Sequence, residues 1–195
     1  MKTDILAVSS NGSHMEEALV LADKVAAFKD LSKKNALHLR LLTEEAMGML
    51  RSIAGTMDGE FWIEDDNGVY ELHLRVQTLM DENKREQLLA ASSTGVNEAE
   101  RGFMGRIRAF FEPTDGLPMY YVPMTGETPA MHSAMMWSMV DYRDHLDLDL
   151  SRNRAGAKEA WDELEKSVVA HVADDVKVSI RGRTVEMTII KKMAN

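Results

Sequence analysis

Residues 60–78 carry the signal that leaves this chain fewest alternatives. Asp65-Asp66-Asn67-Gly68 lies between two runs rich in β-branched and aromatic residues, 60–64 and 69–78. Asn and Gly tolerate positive φ at consecutive positions, which tight turns between antiparallel strands require, so the segment predicts a β-hairpin. Within it Tyr70, Leu72, Leu74 and Val76 share one face and Glu71, His73 and Arg75 the other, so one side is buried and the other wet or lightly covered. A second hairpin is predicted near the end of the chain. Residues 176–180 and 184–191 flank Arg181-Gly182-Arg183, and Val178 and Ile180 alternate in step with Val185, Met187 and Ile189. Residues 4–9, with Ile5, Leu6 and Val8, predict a short first strand ended by Ser10-Asn11-Gly12.

The rest of the pattern is helical. Ser13 with Glu16 three positions on predicts a capping box that opens a helix over about 14–30, with Ala18, Leu21, Ala22, Val25 and Phe28 on one face. A second helix is expected over about 34–54, clustering Leu37, Leu41, Leu42, Glu45, Met49 and Ile53 on one side before Gly55. Residues 81–91 and 99–111 also read as helical, and Pro113, Pro118 and Pro123 mark 112–128 as a loop that holds a short strand at 119–122. Thr128-Pro129 restarts a helix over about 129–145, on which Met131, Met135 and Met139 fall every four residues beside Met136 and Trp137. Such a stripe predicts burial in the core or at a dimer interface. A last helix is expected over about 155–173. The order of elements is that of one α+β domain with helices on one face of a mostly antiparallel sheet.

Composition excludes several classes of function. At 195 residues the chain fits one domain on a prior of roughly 150 residues each. Its 23 Lys and Arg against 32 Asp and Glu give 23 − 32 = −9, which argues against a nucleic-acid partner. The absence of Cys removes disulfides, thiolate nucleophiles and Cys-ligated metals. No window approaches the roughly 18 apolar residues of a membrane span, and no signal-peptide pattern opens the chain, so a cytoplasmic protein is expected. Histidines at 14, 38, 73, 132, 145 and 171 form no HExxH or i, i+4 pair, so no metal site is predicted. His145-Leu146-Asp147-Leu148-Asp149 alternates and would present three ligands on one face of a strand, although amphipathic segments commonly give the same pattern.

Against this background, Leu39-Arg40-Leu41-Leu42-Thr43-Glu44-Glu45-Ala46-Met47-Gly48-Met49 resembles the asparagine-box helix of the GHKL ATPases, the Bergerat-fold family of histidine kinases and bacterial anti-sigma-factor serine kinases. In that family a Glu activates water or the acceptor hydroxyl, and an Asn one turn later holds the Mg²⁺ that bridges the ATP phosphates. Glu45 falls at the glutamate position. Met49 stands where the Asn is expected, and a thioether is a poor ligand for a hard cation. After the 69–78 strand, Asp81 stands near the place of the family's adenine-reading Asp, without the glycines of the first glycine box. Gly95 and then Arg101-Gly102-Phe103-Met104-Gly105-Arg106-Ile107 resemble the second glycine box and the helix it opens, whose backbone N–H groups meet the phosphates.

The resemblance spans residues 14–111 and the closing strands. It implies a two-layer α/β sandwich of Bergerat type with a mixed, mostly antiparallel sheet, and makes 112–150 a Met-rich loop and helix insertion. It further implies a cytoplasmic regulator with weak or lost ATP or ADP binding. Such a regulator acts through a protein partner of the sigma-factor or anti-anti-sigma kind, as a homodimer if the methionine stripe is an interface. Two alternatives stay open: an active serine kinase with Glu45 as base, and a purely structural dimer module. On residues alone, Glu44 reads equally as half of a surface pair with Arg40, and Gly102 and Gly105 as positions that permit close packing.

Overall fold

The computed structural model describes residues 1–52, 57–77, 107, 135–181 and 184–193. In chain order the described elements are β1 (Leu6–Ser9), α1 (Met15–Phe28), α2 (Lys33–Ser52), β2 (Asp58–Asp66), β3 (Val69–Gln77), β4 (Met135–Ser138), α3 (Met139–Ser151), α4 (Ala157–Lys166), α5 (Val168–Val172), β5 (Asp175–Arg181) and β6 (Thr184–Lys192). The six strands form one sheet in the order β1-β2-β3-β6-β5-β4. Every described pairing is antiparallel, so the mixed sheet expected from the resemblance is replaced by an antiparallel one. The fold class is α+β, compatible with a two-layer sandwich.

The 67–68 turn sets the register of the sheet centre. Asn67 (φ 51) and Gly68 (φ 86) form a two-residue loop, so Asp66 pairs with Val69, Trp62 with His73 and Gly59 with Val76. β6 then runs along the other side of β3, with Leu72 opposite Ile189 and Leu74 opposite Met187. Phe61, Ile63, Tyr70, Leu72, Leu74, Val76, Val178, Val185, Met187 and Ile189 are buried and share one core with Ala18, Ala22 and Val25 of α1 and Leu39, Leu42, Ala46 and Leu50 of α2. Ile107 is buried in the same core. The two-fold alternation of the strands thus meets the 39-42-46-50 spacing of α2.

Several expectations are corrected. The Ser13–Glu16 capping box does not form. Gly12 (φ 96) and His14 (φ 60) turn the chain through left-handed conformations, Asn11 Oδ1 accepts from the Ser13 N–H at 2.8 Å, and α1 begins one residue later, capped by no side chain. Phe28 and Leu37, expected on buried faces, are 76% and 55% exposed. Leu37 lies two residues from Leu39, about 200° around the helix, on the side away from the sheet.

The helix expected over 129–145 is borne out from Met139 on, but the described residues before it form a strand: Met135–Ser138 pairs with β5 from Met135↔Ile180 to Ser138↔Lys177. Ser138 ends that strand. Its hydroxyl accepts from the Asp141 N–H, and the Asp175 carboxylate accepts from the Val140 N–H at 3.3 Å, so two side chains satisfy the first turn of α3. The helix expected over 155–173 divides at Ser167, which ends α4 in an extended conformation (ψ 123) and caps α5 through its hydroxyl. His145 to Asp149 lie on α3, where 145, 147 and 149 do not share a face, so the three-ligand strand is excluded.

Candidate functional site

The residue expected to act as base sits on α2. Glu45 is half-buried, at the margin between the core-facing residues Leu42, Thr43 and Ala46 and the exposed Glu44. Thr43 is itself buried and donates its hydroxyl to the Leu39 carbonyl at 2.9 Å. Glu44 accepts from Arg40 Nε at 3.2 Å, the i, i+4 pair that its spacing suggested, and Arg40 Nη1 also binds Asp23 of α1. That side of α2 therefore ties two helices together at the surface. One turn beyond Glu45, Met49 is 4% exposed and belongs to the core. Asp81, Gly95, Gly102 and Gly105, the residues expected to meet nucleotide, lie outside the described residues.

A second cluster occupies the face of the sheet opposite the helices. The hairpin register places Glu60 opposite Arg75, Trp62 opposite His73 and Glu64 opposite Glu71; on the far side of β3, β6 places Glu186 opposite Arg75 and Thr188 opposite His73. Trp62 and His73 stack with ring centroids 4.7 Å apart and planes 3° from parallel. Lys2 Nζ and the Arg75 guanidinium lie 5.0 and 4.7 Å from the Trp62 ring centroid, within cation–π reach. Trp62 Nε1–H donates to Glu64 at 2.7 Å, and Lys2 pairs with the same carboxylate at 2.9 Å. The Lys2 ammonium first, and then the indole N–H, hold the Glu64 carboxyl below the usual carboxylate range. Arg75 bridges Glu186 at 2.9 Å and Glu60 at 3.3 Å.

His73 sits in the middle of this network, 8% exposed. Its Nδ1 is 3.3 Å from Glu186 Oε1 and 3.2 Å from Thr188 Oγ1, and its Nε2 is 3.4 Å from Glu71 Oε2 and 3.9 Å from Glu64 Oε1. Sequence alternation had put Glu71, His73 and Arg75 together on the lightly covered face; the partners were missed. The signal was nonetheless present, because a two-residue loop at 67–68 fixes Trp62 opposite His73 by counting alone.

A third group anchors the hairpin tip. Asp65 is buried, Lys29 Nζ lies 2.5 Å from its Oδ2, and the Gly68 N–H donates to its Oδ1 at 3.1 Å. The Lys29 bond, which outweighs the opposing push of burial, keeps the Asp65 carboxyl below its ordinary range. Among the described residues no group of three or more His, Asp or Glu is placed to hold a metal ion, and no helix is long and apolar enough to cross a membrane. The chain matches no protein-family model, and no curated protein is similar enough to be matched.

Proposed function

We propose that this protein is a cytoplasmic regulator related to the histidine-kinase-like ATPases that acts through contacts with another protein, with nucleotide binding weak or lost. The reading rests on the resemblance of residues 39–49 and 95–107 to that family's motifs. An α+β fold in which two helices precede a central hairpin and a second hairpin closes the sheet is compatible with it. One observation carries the degenerate form of the reading: Met49 is 4% exposed and packed in the core, so the position from which the family's Asn would offer an oxygen to Mg²⁺ serves packing instead. Asp81, Gly95, Gly102 and Gly105 would supply the remaining nucleotide contacts. The partner expected is a regulator of the sigma-factor or anti-anti-sigma kind, and a homodimer fits the same reading.

Calorimetric titration with ATP and with ADP, each with and without Mg²⁺, tests this. Expected is weak binding that Mg²⁺ leaves unchanged; tightening by about tenfold or more on adding Mg²⁺ would overturn it. A clear ATPase or kinase rate that disappears in Glu45→Ala, with the fold intact by circular dichroism, would favour the active serine kinase instead.

A further inference from the structure

Either neutral tautomer of His73 leaves a ring lone pair facing a carboxylate. A neutral ring carries one N–H and one lone pair, whereas a carboxylate only accepts. With the hydrogen on Nδ1, that nitrogen donates to Glu186 at 3.3 Å, and the Nε2 lone pair faces Glu71 at 3.4 Å and Glu64 at 3.9 Å. With the hydrogen on Nε2, the donor stands 3.4 Å from Glu71, and the Nδ1 lone pair accepts from the Thr188 hydroxyl at 3.2 Å while still facing Glu186. Nε2 is in fact buried with no hydrogen-bond partner. An imidazolium donates from both nitrogens, and its positive ring lies flat on the electron-rich face of Trp62.

We propose that His73 is a proton-operated clamp on the face of the sheet opposite α1 and α2: uptake of one proton lets Nδ1–H donate to Glu186 of β6 and sets a positive Nε2–H beside Glu71 of β3 and Glu64 of β2, so that one charged ring attracts carboxylates from three adjacent strands. Among the described residues the charged groups that reach the ring are Glu64 from β2, Glu71 from β3 and Glu186 from β6; one contact further out, Arg75 of β3 bridges Glu186 and Glu60, and Lys2 pairs with Glu64. Lys177 of β5 stands one strand further away, opposite Thr188. Three carboxylates thus lie against the ring, with the two cations Arg75 and Lys2 in the same network. Arg75 and His73 hold different oxygens of Glu186, so gaining the proton adds a bond without displacing one. The inference does not depend on nucleotide binding.

Two measurements test it, both with EDTA present so that a metal ion cannot stand in for the proton. In the first, tryptophan emission is followed from about pH 8.5 to about pH 5, across the range in which histidines gain charge. A protonated ring stacked on Trp62 quenches it, so emission falls in the wild type, the fall is lost in His73→Gln, and in Glu71→Gln it moves to lower pH. A fall that persists unchanged in His73→Gln, or that keeps its position in Glu71→Gln, overturns the proposal. In the second, ¹⁵N–¹H spectra of the wild-type imidazole need no variant: both His73 nitrogens are expected to carry hydrogen at about pH 5, and only one at about pH 8.5. A ring that stays neutral throughout overturns it equally.

Discussion

Replacing Asp65 with Asn should uncouple the hairpin tip from the end of α1 without changing its shape. Asp65 makes three kinds of attachment: its carboxylate to Lys29, its Oδ1 to the Gly68 N–H of the turn, and its backbone N–H to the Met1 carbonyl at 2.7 Å. Asn keeps an acceptor for Gly68 and the backbone bond but removes the charge. Breaking a buried ion pair costs about 3–5 kcal/mol when the surviving charge is stranded. Here the survivor, Lys29, is 28% exposed and swings into water, so the expected loss is only about 1–2 kcal/mol, while Asp65→Ala forfeits the turn bond and about 1 kcal/mol more.

The pH dependence of this pair has a definite sign. Lys29 lowers the folded-state pKa of Asp65 below its unfolded value of about 3.9, so the contribution is fully present above that value, declines below it and is gone once pH has fallen through the folded-state pKa. The same bond raises Lys29, so its share is full below about pH 10.4 and fades as pH rises beyond that. Urea unfolding followed by far-ultraviolet circular dichroism at about pH 7 and about pH 3 measures both the size and the direction. Equal unfolding midpoints for wild type and Asp65→Asn at neutral pH would refute the reasoning, as would a difference that persists undiminished in acid.

Other perturbations follow from the same packing. Phe61 is fully buried opposite Leu74, and Phe61→Ala should cost about 3–5 kcal/mol in urea unfolding. Asp175→Ala, which removes the acceptor for the Val140 N–H at the start of α3, should cost about 1 kcal/mol and lower the thermal midpoint by a few degrees. Gly68→Ala puts a Cβ 2.9 Å from the Met193 carbonyl at φ 86, so a loss above about 1 kcal/mol is expected, with the Met193 amide shifted in NMR spectra.

What the sequence disclosed, and what it hid, follows from how local each determinant is. The 65–68 turn fixes its own geometry through two residues that tolerate positive φ, and the alternation on either side then dictates the buried face of β3, so this part of the sheet was legible down to its register. The faces of α1 and α2 were legible only in part: Phe28 and Leu37 match a helical spacing, but their exposure is decided by where the sheet ends beneath them. Met135 and Met139 misled for a related reason. Residues four apart read as one helical stripe, yet Met135–Ser138 continues the sheet beside β5, and the hydroxyl of Ser138, with the carboxylate of Asp175 37 positions on, fixes where helix begins. Long-range pairing overrode a local pattern.

The same distinction separates the two candidate sites. The Glu45–Met49 reading depends on a motif along one helix, which makes it visible in sequence; its meaning turns on burial, which sequence alone does not give. Met49 packs into the core, and its thioether carries no oxygen to offer a hard cation. The His73 cluster is the reverse case. The six charged groups of its network come from three strands and the N-terminal bridge, and no motif joins Lys2, Glu64 and Glu186 along the chain. Alternation along β3 sets Glu71 beside one ring nitrogen, and only the antiparallel register brings Glu64 to the same side and Glu186 to the other nitrogen. A histidine flanked in sequence by Leu72 and Leu74 would pass for a polar residue on the wet side of a strand. Its partners on β2, β3 and β6 set three carboxylates within 4 Å of its ring.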